Sequence, residues 1–125
     1  MANKITQQIT LTLQGVSSRV SMSGQVTREQ AGSNYGEETQ TIDNAAATAL
    51  DIPAAITEGN LGELMIRNLD AANPIDIATD DGMLHKIATV LAGKGNLISP
   101  PAGTVALWAK ATGAPVQIEF LAIEK

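Results

Sequence analysis

The chain contains no cysteine and almost no aromatic side chains, and each of these absences excludes something. Without cysteine there is neither a disulfide framework nor thiolate chemistry. Tyr35, Trp108 and Phe120 are the whole aromatic set of the 125 residues, so a core must be built from Ile, Leu, Val, Met and Ala. Because such side chains bury less area than rings do, we expect stability to depend partly on contacts with other chains.

Clustered basic charge and long apolar runs are also absent. Eight Lys and Arg against thirteen Asp and Glu leave a formal net charge of −5, and the basic residues are scattered, whereas nucleic-acid binding needs them gathered around phosphates. No apolar stretch has the length of a transmembrane helix, and the first residues lack the apolar region of a signal peptide. The sequence therefore predicts a protein that binds neither nucleic acid nor a membrane.

What the sequence does contain is a repeated alternation of apolar and polar residues, which is typical of β-strands. In the first half it is clear at residues 9–13 and 20–26, on either side of a turn around Gly15. Ser, Thr and Gln fill the alternate positions of both segments, so one face of this strand pair is polar. Residues 28–36 are expected to be a loop because of their composition.

An alanine-rich stretch near the middle of the chain allows two interpretations. Asp43 could cap a short helix over residues 44–50. Alternatively, residues 48–52 form a strand that Pro53 stops, and we favour this interpretation. At most one short helix is therefore expected in the chain.

Turn signals divide the second half into short strands. They lie at Asp81-Gly82, which predicts a hairpin, and at residues 93–95, 100–103 and 112–115. About eight to ten short strands with frequent turns predict an antiparallel all-β fold, namely a β-sandwich of jelly-roll type. No linker is visible, so we expect one domain over residues 1–125, with residues 1–8 as a possible N-terminal arm.

Few residues are suited to catalysis. His85 is the only histidine, and we expect it on a half-exposed strand face. The Gly93-Lys94-Gly95 turn matches neither glycine-rich phosphate pattern, and Glu37 and Glu38 should point to opposite faces of a strand. We predict no catalytic site, no cofactor and no enzymatic activity.

Four acidic residues of the second half could be read as an ion site. They are Asp70, Asp76, Asp80 and Asp81. Carboxylates on loops are the ligands that calcium prefers, but the spacing from Asp76 lacks the glycine and the closing glutamate of an EF-hand loop. Since Asp is also common in turns, we favour turn formation and predict no metal site, while ion binding around Asp76, Asp80 and Asp81 stays open.

Short motifs of the second half carry a resemblance. They are Gly62–Asp70 (Gly-Glu-Leu-Met-Ile-Arg-Asn-Leu-Asp), Asn73, Ile75–Ile77, Pro101–Gly103, Val105–Ala111 and Val116–Leu121. In these motifs, and in its Met-Ala-Asn-Lys-Ile start, the chain resembles small virion structural proteins of tailed bacteriophages, of the capsid decoration (cement) type. The resemblance covers about residues 60–123, and residues 88–99 depart from it by being more apolar.

The resemblance implies a subunit on the capsid surface of a virion, made in the cytoplasm of the host bacterium. It implies two partners, the major capsid protein and copies of the chain itself in a homotrimer. The polar segment over residues 1–27 is the expected contact element. The predicted interface residues are Ile5, Ile9, Leu11, Leu13 and Trp108. For Trp108 there are two interpretations, a position in the core, which we favour, and an interface anchor.

Two other functions remain open from the sequence. A tail or head-fibre component would use the same fold in rings or columns of subunits. A carbohydrate-binding module belongs to a different class, and it usually needs several exposed rings, of which this chain has few.

Overall fold

The computed structural model describes residues 3–13, 20–30, 35–56 and 59–124. The chain divides into two compact units, residues 1–33 and residues 34–125. The described residues form strands, turns and irregular segments, and they contain no helix that could cross a membrane. The strands are β1 (Asn3–Leu13), β2 (Val20–Gln30), β3 (Tyr35–Ile42), β4 (Thr48–Ala49), β5 (Leu61–Asn68), β6 (Ile75–Ala78), β7 (Lys86–Val90), β8 (Gly95–Ile98), β9 (Trp108–Ala111) and β10 (Val116–Glu124).

The first unit is a long antiparallel hairpin. Strands β1 and β2 pair over their whole length of 11 residues each, from Asn3 opposite Gln30 to Leu13 opposite Val20. Strand β2 is longer than predicted and includes residues 28–30, and β3 already begins at Tyr35. The expected loop over residues 28–36 is therefore wrong at both of its ends. The expected turn around Gly15 lies outside the described residues, as do residues 1–2 of the possible arm.

The second unit consists of two four-stranded sheets. The front sheet has the order β3-β10-β5-β8 and the back sheet the order β4-β9-β6-β7, with every pair antiparallel. The predicted all-β sandwich is confirmed, while the jelly-roll topology and the single domain over residues 1–125 stay predictions. No described residue is helical, so the strand interpretation is correct at Thr48 and Ala49, which form β4, but it is wrong for residues 50–52, which are not in a strand.

The core lies between the two sheets and is almost entirely aliphatic. Alternate residues of each strand point inward, as the burial of every second residue in most of β10 shows. Among the residues whose burial the structure describes, Phe120 is the one ring in the buried hydrophobic set. The core cluster contains Ile42, Leu50, Ile56, Leu64, Ile66, Ile75, Ile77, Val90, Ile98, Leu107, Ala109, Ala111, Val116, Ile118, Phe120 and Ala122.

The hairpin predicted at Asp81-Gly82 joins β6 to β7, but its loop is longer than expected. The Asp80 carboxylate accepts hydrogen bonds from the backbone N–H groups of Leu84 (2.9 Å) and His85 (2.7 Å). Met83 adopts a positive φ of 57° within this loop. His85 therefore belongs to the loop and is exposed, so its predicted position within a strand is wrong.

The outer edge of β4 is covered by a side chain of β3. The Gln40 side chain donates to the carbonyl of Ala49 (2.7 Å) and accepts from the N–H of Asp51 (3.0 Å). A Cβ atom at Gly36 would clash with the ring of Pro53, so this position requires glycine. Because open strand edges invite pairing with other chains, the contact of Gln40 protects one edge of the back sheet.

Candidate interaction surfaces

The register of the hairpin gathers its apolar residues on one face. Odd positions of β1 share a face with even positions of β2 because strand residues alternate in direction. This face collects seven apolar residues, Ile5, Ile9, Leu11, Leu13, Val20, Met22 and Val26, together with Gly24 and the polar residues Asn3, Gln7, Arg28 and Gln30. The other face consists of five cross-strand pairs: Lys4 with Glu29, Thr6 with Thr27, Gln8 with Gln25, Thr10 with Ser23 and Thr12 with Ser21.

This arrangement brings together four of the five predicted interface residues. Ile5, Ile9, Leu11 and Leu13 occupy the same face of β1. A two-stranded hairpin is marginally stable alone in water because it cannot bury one of its faces. Full burial of one such side chain is worth roughly 1.5–3 kcal/mol. The apolar face therefore favours a protein partner, and the interface assignment stays a prediction.

Asn68 ties the two sheets together at the end of β5. Its side chain is 1% exposed, and its Nδ2 donates to the carbonyls of Asn73 (2.8 Å) and Val90 (3.2 Å). Its Oδ1 accepts from the N–H of Asp70 (2.9 Å). Since Val90 ends β7 in the back sheet, one amide side chain bridges both layers.

Asp70 completes the turn that Asn68 begins. Its Oδ1 accepts hydrogen bonds from the backbone N–H groups of Ala72 (2.7 Å) and Asn73 (2.6 Å). These hydrogen bonds hold the pKa of the Asp70 carboxyl below its usual value because they stabilise the charged form. The bond from Ala72 has the largest effect. The Asn68-Leu69-Asp70 motif therefore has a structural role, because its polar side chains hold the turn after β5. The side-chain types alone did not reveal this role.

Asp76 and Asp80 also bind protein donors. Burial raises the pKa of Asp76, but hydrogen bonds from Lys86 Nζ (2.8 Å) and Thr89 Oγ1 (2.6 Å) outweigh it, and the net pKa is lowered. The backbone N–H groups of Leu84 and His85 lower the pKa of Asp80. Among the described residues there is no group of three or more His, Cys, Asp or Glu that could hold a metal ion.

These lowered pKa values predict acid sensitivity. A carboxyl whose pKa is lower in the folded chain than in the unfolded chain stabilises the fold at any pH above its unfolded pKa, which is near 3.8. This stabilisation is lost as the pH falls through the pKa of the folded chain. We expect the double variant Asp70→Asn/Asp80→Asn to lose less stability than the wild type between about pH 5 and pH 2. Urea unfolding at each pH measures this, and parallel pH profiles of the two proteins would contradict it.

Trp108 lies on the outer face of the back sheet. In β9 the buried positions are Ala109 and Ala111, whereas Trp108 and Lys110 are half-buried. The favoured interpretation of Trp108 as a core residue is therefore wrong. Its cross-strand neighbours Ala49 and Ala78 are small, and its assignment as an interface anchor stays a prediction.

The outer face of the front sheet carries a groove of about 530 Å³. Met65 and Leu121, which lie opposite each other on β5 and β10, line it, and Leu97 of β8 continues the same apolar row beside it. The adjoining row places Glu119 opposite Arg67, and the two side chains form an ion pair of 2.8 Å.

Glu37 and Glu38 lie beside this groove on the edge strand β3, and both are exposed. Glu37 is opposite Leu121, on the face of the groove, whereas Glu38 is opposite the buried Phe120 and belongs to the other face of the sheet. The register therefore agrees with the expectation that the two residues point to opposite faces. The sequence did not reveal the groove, because its residues come from four strands that only the sheet register brings together.

Comparison with known proteins adds no relative to this geometry. No protein-family model, no curated protein and no solved structure matches the chain. The surfaces that bear on function are therefore the two described above, the apolar face of the hairpin and the groove of the front sheet.

Proposed function

We propose that this protein is a structural subunit of a bacteriophage virion, and that it decorates and stabilises the capsid by binding other protein subunits. The observation that carries the proposal is the hairpin, a compact unit of its own with seven apolar residues on one face. Such a face is suited to burial against a neighbouring subunit. The partners are the major capsid protein and sister copies of the chain in a homotrimer on the capsid surface.

The physical task of such a subunit is to add buried area between capsid subunits. Each copy contributes a modest affinity, and simultaneous contacts to several subunits multiply it, because the second contact forms within an already assembled complex. A β-sandwich with a closed aliphatic core provides the rigid body, and the hairpin provides the contact element. No small-molecule chemistry is part of this function.

The order of the strands supports the same class of protein. Counted from β3, the front sheet contains the first, eighth, third and sixth strands of the sandwich, and the back sheet the second, seventh, fourth and fifth. We infer a jelly-roll topology from this order. Double-sheet jelly rolls of eight strands occur in viral capsid domains, and also in lectins and cupins.

Localisation in the virion tests the proposal directly. Particles of the phage that produces this chain are labelled with an antibody raised against the purified protein and imaged by electron microscopy. We expect label over the shell. Label confined to the tail or to head fibres would favour the alternative, a tail or head-fibre component, and particles without label would overturn both.

The apolar face of the hairpin is expected to control occupancy of the capsid. Leu11→Asp places a charge on that face, whereas Thr10→Asp places the same charge on the polar face one residue away. Because a desolvated charge is costly at an interface, we expect Leu11→Asp to reduce binding to decoration-free capsids by roughly tenfold or more. Co-sedimentation with those capsids measures it, and equal binding of the two variants would contradict the prediction.

The carbohydrate-binding alternative receives less support. A sugar platform usually presents flat, exposed rings, but Phe120 is 3% exposed and Trp108 is only half-exposed. A glycan array with the purified protein tests this alternative, and specific binding of one glycan class would revive it.

A further inference from the structure

We propose that the apolar face of the hairpin packs on the groove of the front sheet of a second copy of this chain. Copies of the protein then join through two different surfaces, each copy giving its hairpin to one neighbour. The proposal rests on the self-association that the proposed function includes, and it names the two surfaces that form the contact. Apolar exposure, charge and size of the two surfaces support it.

The apolar residues of the hairpin are concentrated in the half that ends at Leu13 and Val20, which we call the distal half. The cross-strand pairs of the apolar face contain no polar side chain there, whereas Arg28 lies opposite Ile5 in the other half. A two-stranded hairpin cannot bury such a surface by itself. The three pairs of the distal half are Ile9 with Gly24, Leu11 with Met22 and Leu13 with Val20.

The apolar row of the groove, formed by Leu97, Met65 and Leu121, is the second surface that lacks a cover. Met65 is 51% exposed and Leu97 is 37% exposed, and Leu121 lies opposite Met65 and is half-buried. These residues occupy outward positions of β5, β8 and β10, where an antiparallel sheet normally carries polar residues. Adjacent apolar side chains at such positions are typical of a surface that another protein covers.

The two surfaces match in charge because both are neutral where they would meet. In the groove, Arg67 and Glu119 form an ion pair of 2.8 Å, and Glu37 lies on β3, beyond Leu121. On the apolar face of the described hairpin, Arg28 is the one charged residue, and it lies outside the distal half. Since an unpaired charge is costly to bury at an interface, the neutral row fits the uncharged half of the hairpin.

The two surfaces are also similar in size. Strands rise about 3.4 Å per residue and lie about 4.8 Å apart, so the distal half is about 14 Å long from Ile9 to Leu13, and the row is about 10 Å long from Leu97 to Leu121. Layers of strands pack face to face through aliphatic side chains of this kind. The hairpin of one copy can therefore lie across the row of the next as an added layer.

A contact between unlike surfaces covers both exposed areas at once. Two hairpins packed against each other would leave the groove uncovered, and two grooves packed against each other would leave the hairpins uncovered. When the rotation between neighbours permits it, contacts between unlike surfaces close into a ring. The homotrimer of the proposed function is then a ring of three identical contacts.

Disulfide trapping between copies tests the contact directly, because the chain has no cysteine of its own. Leu11→Cys and Met65→Cys are purified separately, one of them labelled with ¹⁵N, and mixed in equal amounts under oxidising conditions. Mass spectrometry then counts the mixed and the symmetric dimers. We expect mixed dimers to exceed either symmetric dimer by roughly fivefold or more, because only the mixed pair is held within disulfide distance.

The matched control replaces Leu11→Cys with Thr10→Cys. Thr10 is the preceding residue of β1 and lies on the polar face of the hairpin. We expect the mixture of Thr10→Cys with Met65→Cys to give mixed dimers at the statistical ratio only. An equal excess of mixed dimers with Thr10→Cys would contradict the proposal.

Light scattering coupled to size-exclusion chromatography measures the assembly without any capsid present. We expect the wild type to exceed the monomer mass, and Leu11→Asp and Met65→Asp each to raise the apparent dissociation constant by roughly tenfold or more. Leu84→Asp makes the same change at a residue that is 81% exposed in the loop before β7, outside the groove. We expect it to have little effect.

Three results would overturn the proposal: a monomer at every concentration, an excess of symmetric Leu11→Cys dimers, or equal effects of Met65→Asp and Leu84→Asp. Circular dichroism confirms that each variant is folded before it is used. A monomer that still coats capsids would end this proposal and leave the decoration role intact. Conversely, a protein that assembles as described but is absent from virions would end the decoration role alone.

Discussion

Replacing Asn68 with alanine is expected to lower the free energy of unfolding by about 3 kcal/mol or more. The substitution removes the donor that serves the carbonyls of Asn73 and Val90, and the acceptor that serves the N–H of Asp70. The bond to Val90 is buried. A polar group left there without a partner costs its full desolvation, which exceeds the net value of an ordinary hydrogen bond. The two sheets also lose a direct link.

Urea unfolding followed by the fluorescence of Trp108, the single tryptophan, measures this change at a fixed protein concentration. Asn44→Ala is the matched control, because it removes the same amide group but only one exposed hydrogen bond, that to the carbonyl of Gly113 (3.0 Å). We expect the control to cost less than about 1 kcal/mol. Similar losses in the two variants would show that Asn68 is not a link between the layers.

Phe120→Ala is expected to have an effect of the same size or larger, about 3–5 kcal/mol. Phe120 is 3% exposed and lies on β10, which is flanked by β3 and β5 in the front sheet. The remaining core side chains are aliphatic, and none can fill the volume of a ring without shifting the backbone. The cost therefore combines lost burial with the cavity that remains.

The neighbouring residue provides the control for this prediction. Leu121 follows Phe120 on the same strand but faces outward, into the groove. We expect Leu121→Ala to lower the free energy of unfolding by less than about 1 kcal/mol, measured by the same urea titration. If Leu121→Ala proved the more costly of the two, the assignment of inner and outer faces on β10 would be wrong.

The alternation of apolar and polar residues predicted most of the strands correctly, because a strand with one buried face has an apolar residue at every second position. Strands β1, β2 and β10 follow this rule, and the hairpin at Asp81-Gly82 follows from turn chemistry. The aliphatic core was predictable from composition alone. None of these inferences required knowledge of which strands are neighbours.

The errors occurred where the local sequence fits two structures. Residues 28–30 are polar enough for a loop, but they pair with Asn3, Lys4 and Ile5 at the start of β1, and this long-range contact decides the outcome. His85 leaves the strand because of a local contact, since its N–H binds the carboxylate of Asp80. Trp108 faces outward because Ala109 and Ala111 take the inward positions.

The groove could not be predicted at all, for a related reason. Met65, Leu97 and Leu121 look like ordinary strand residues in isolation, and each alone would be a common surface residue. Only the register of three strands places them in one row. These three residues can be recognised as outward-facing apolar residues only when it is known which positions of each strand face the core.

The contact between Gln40 and the end of β4 has a consequence for self-association. β4 is the last strand of the back sheet, and strand edges with free N–H and C=O groups can pair with other chains and polymerise into fibrils. The Gln40 amide occupies the carbonyl of Ala49 and the N–H of Asp51, so it removes one such template without adding a strand. Gln40 thereby restricts uncontrolled growth to fewer directions.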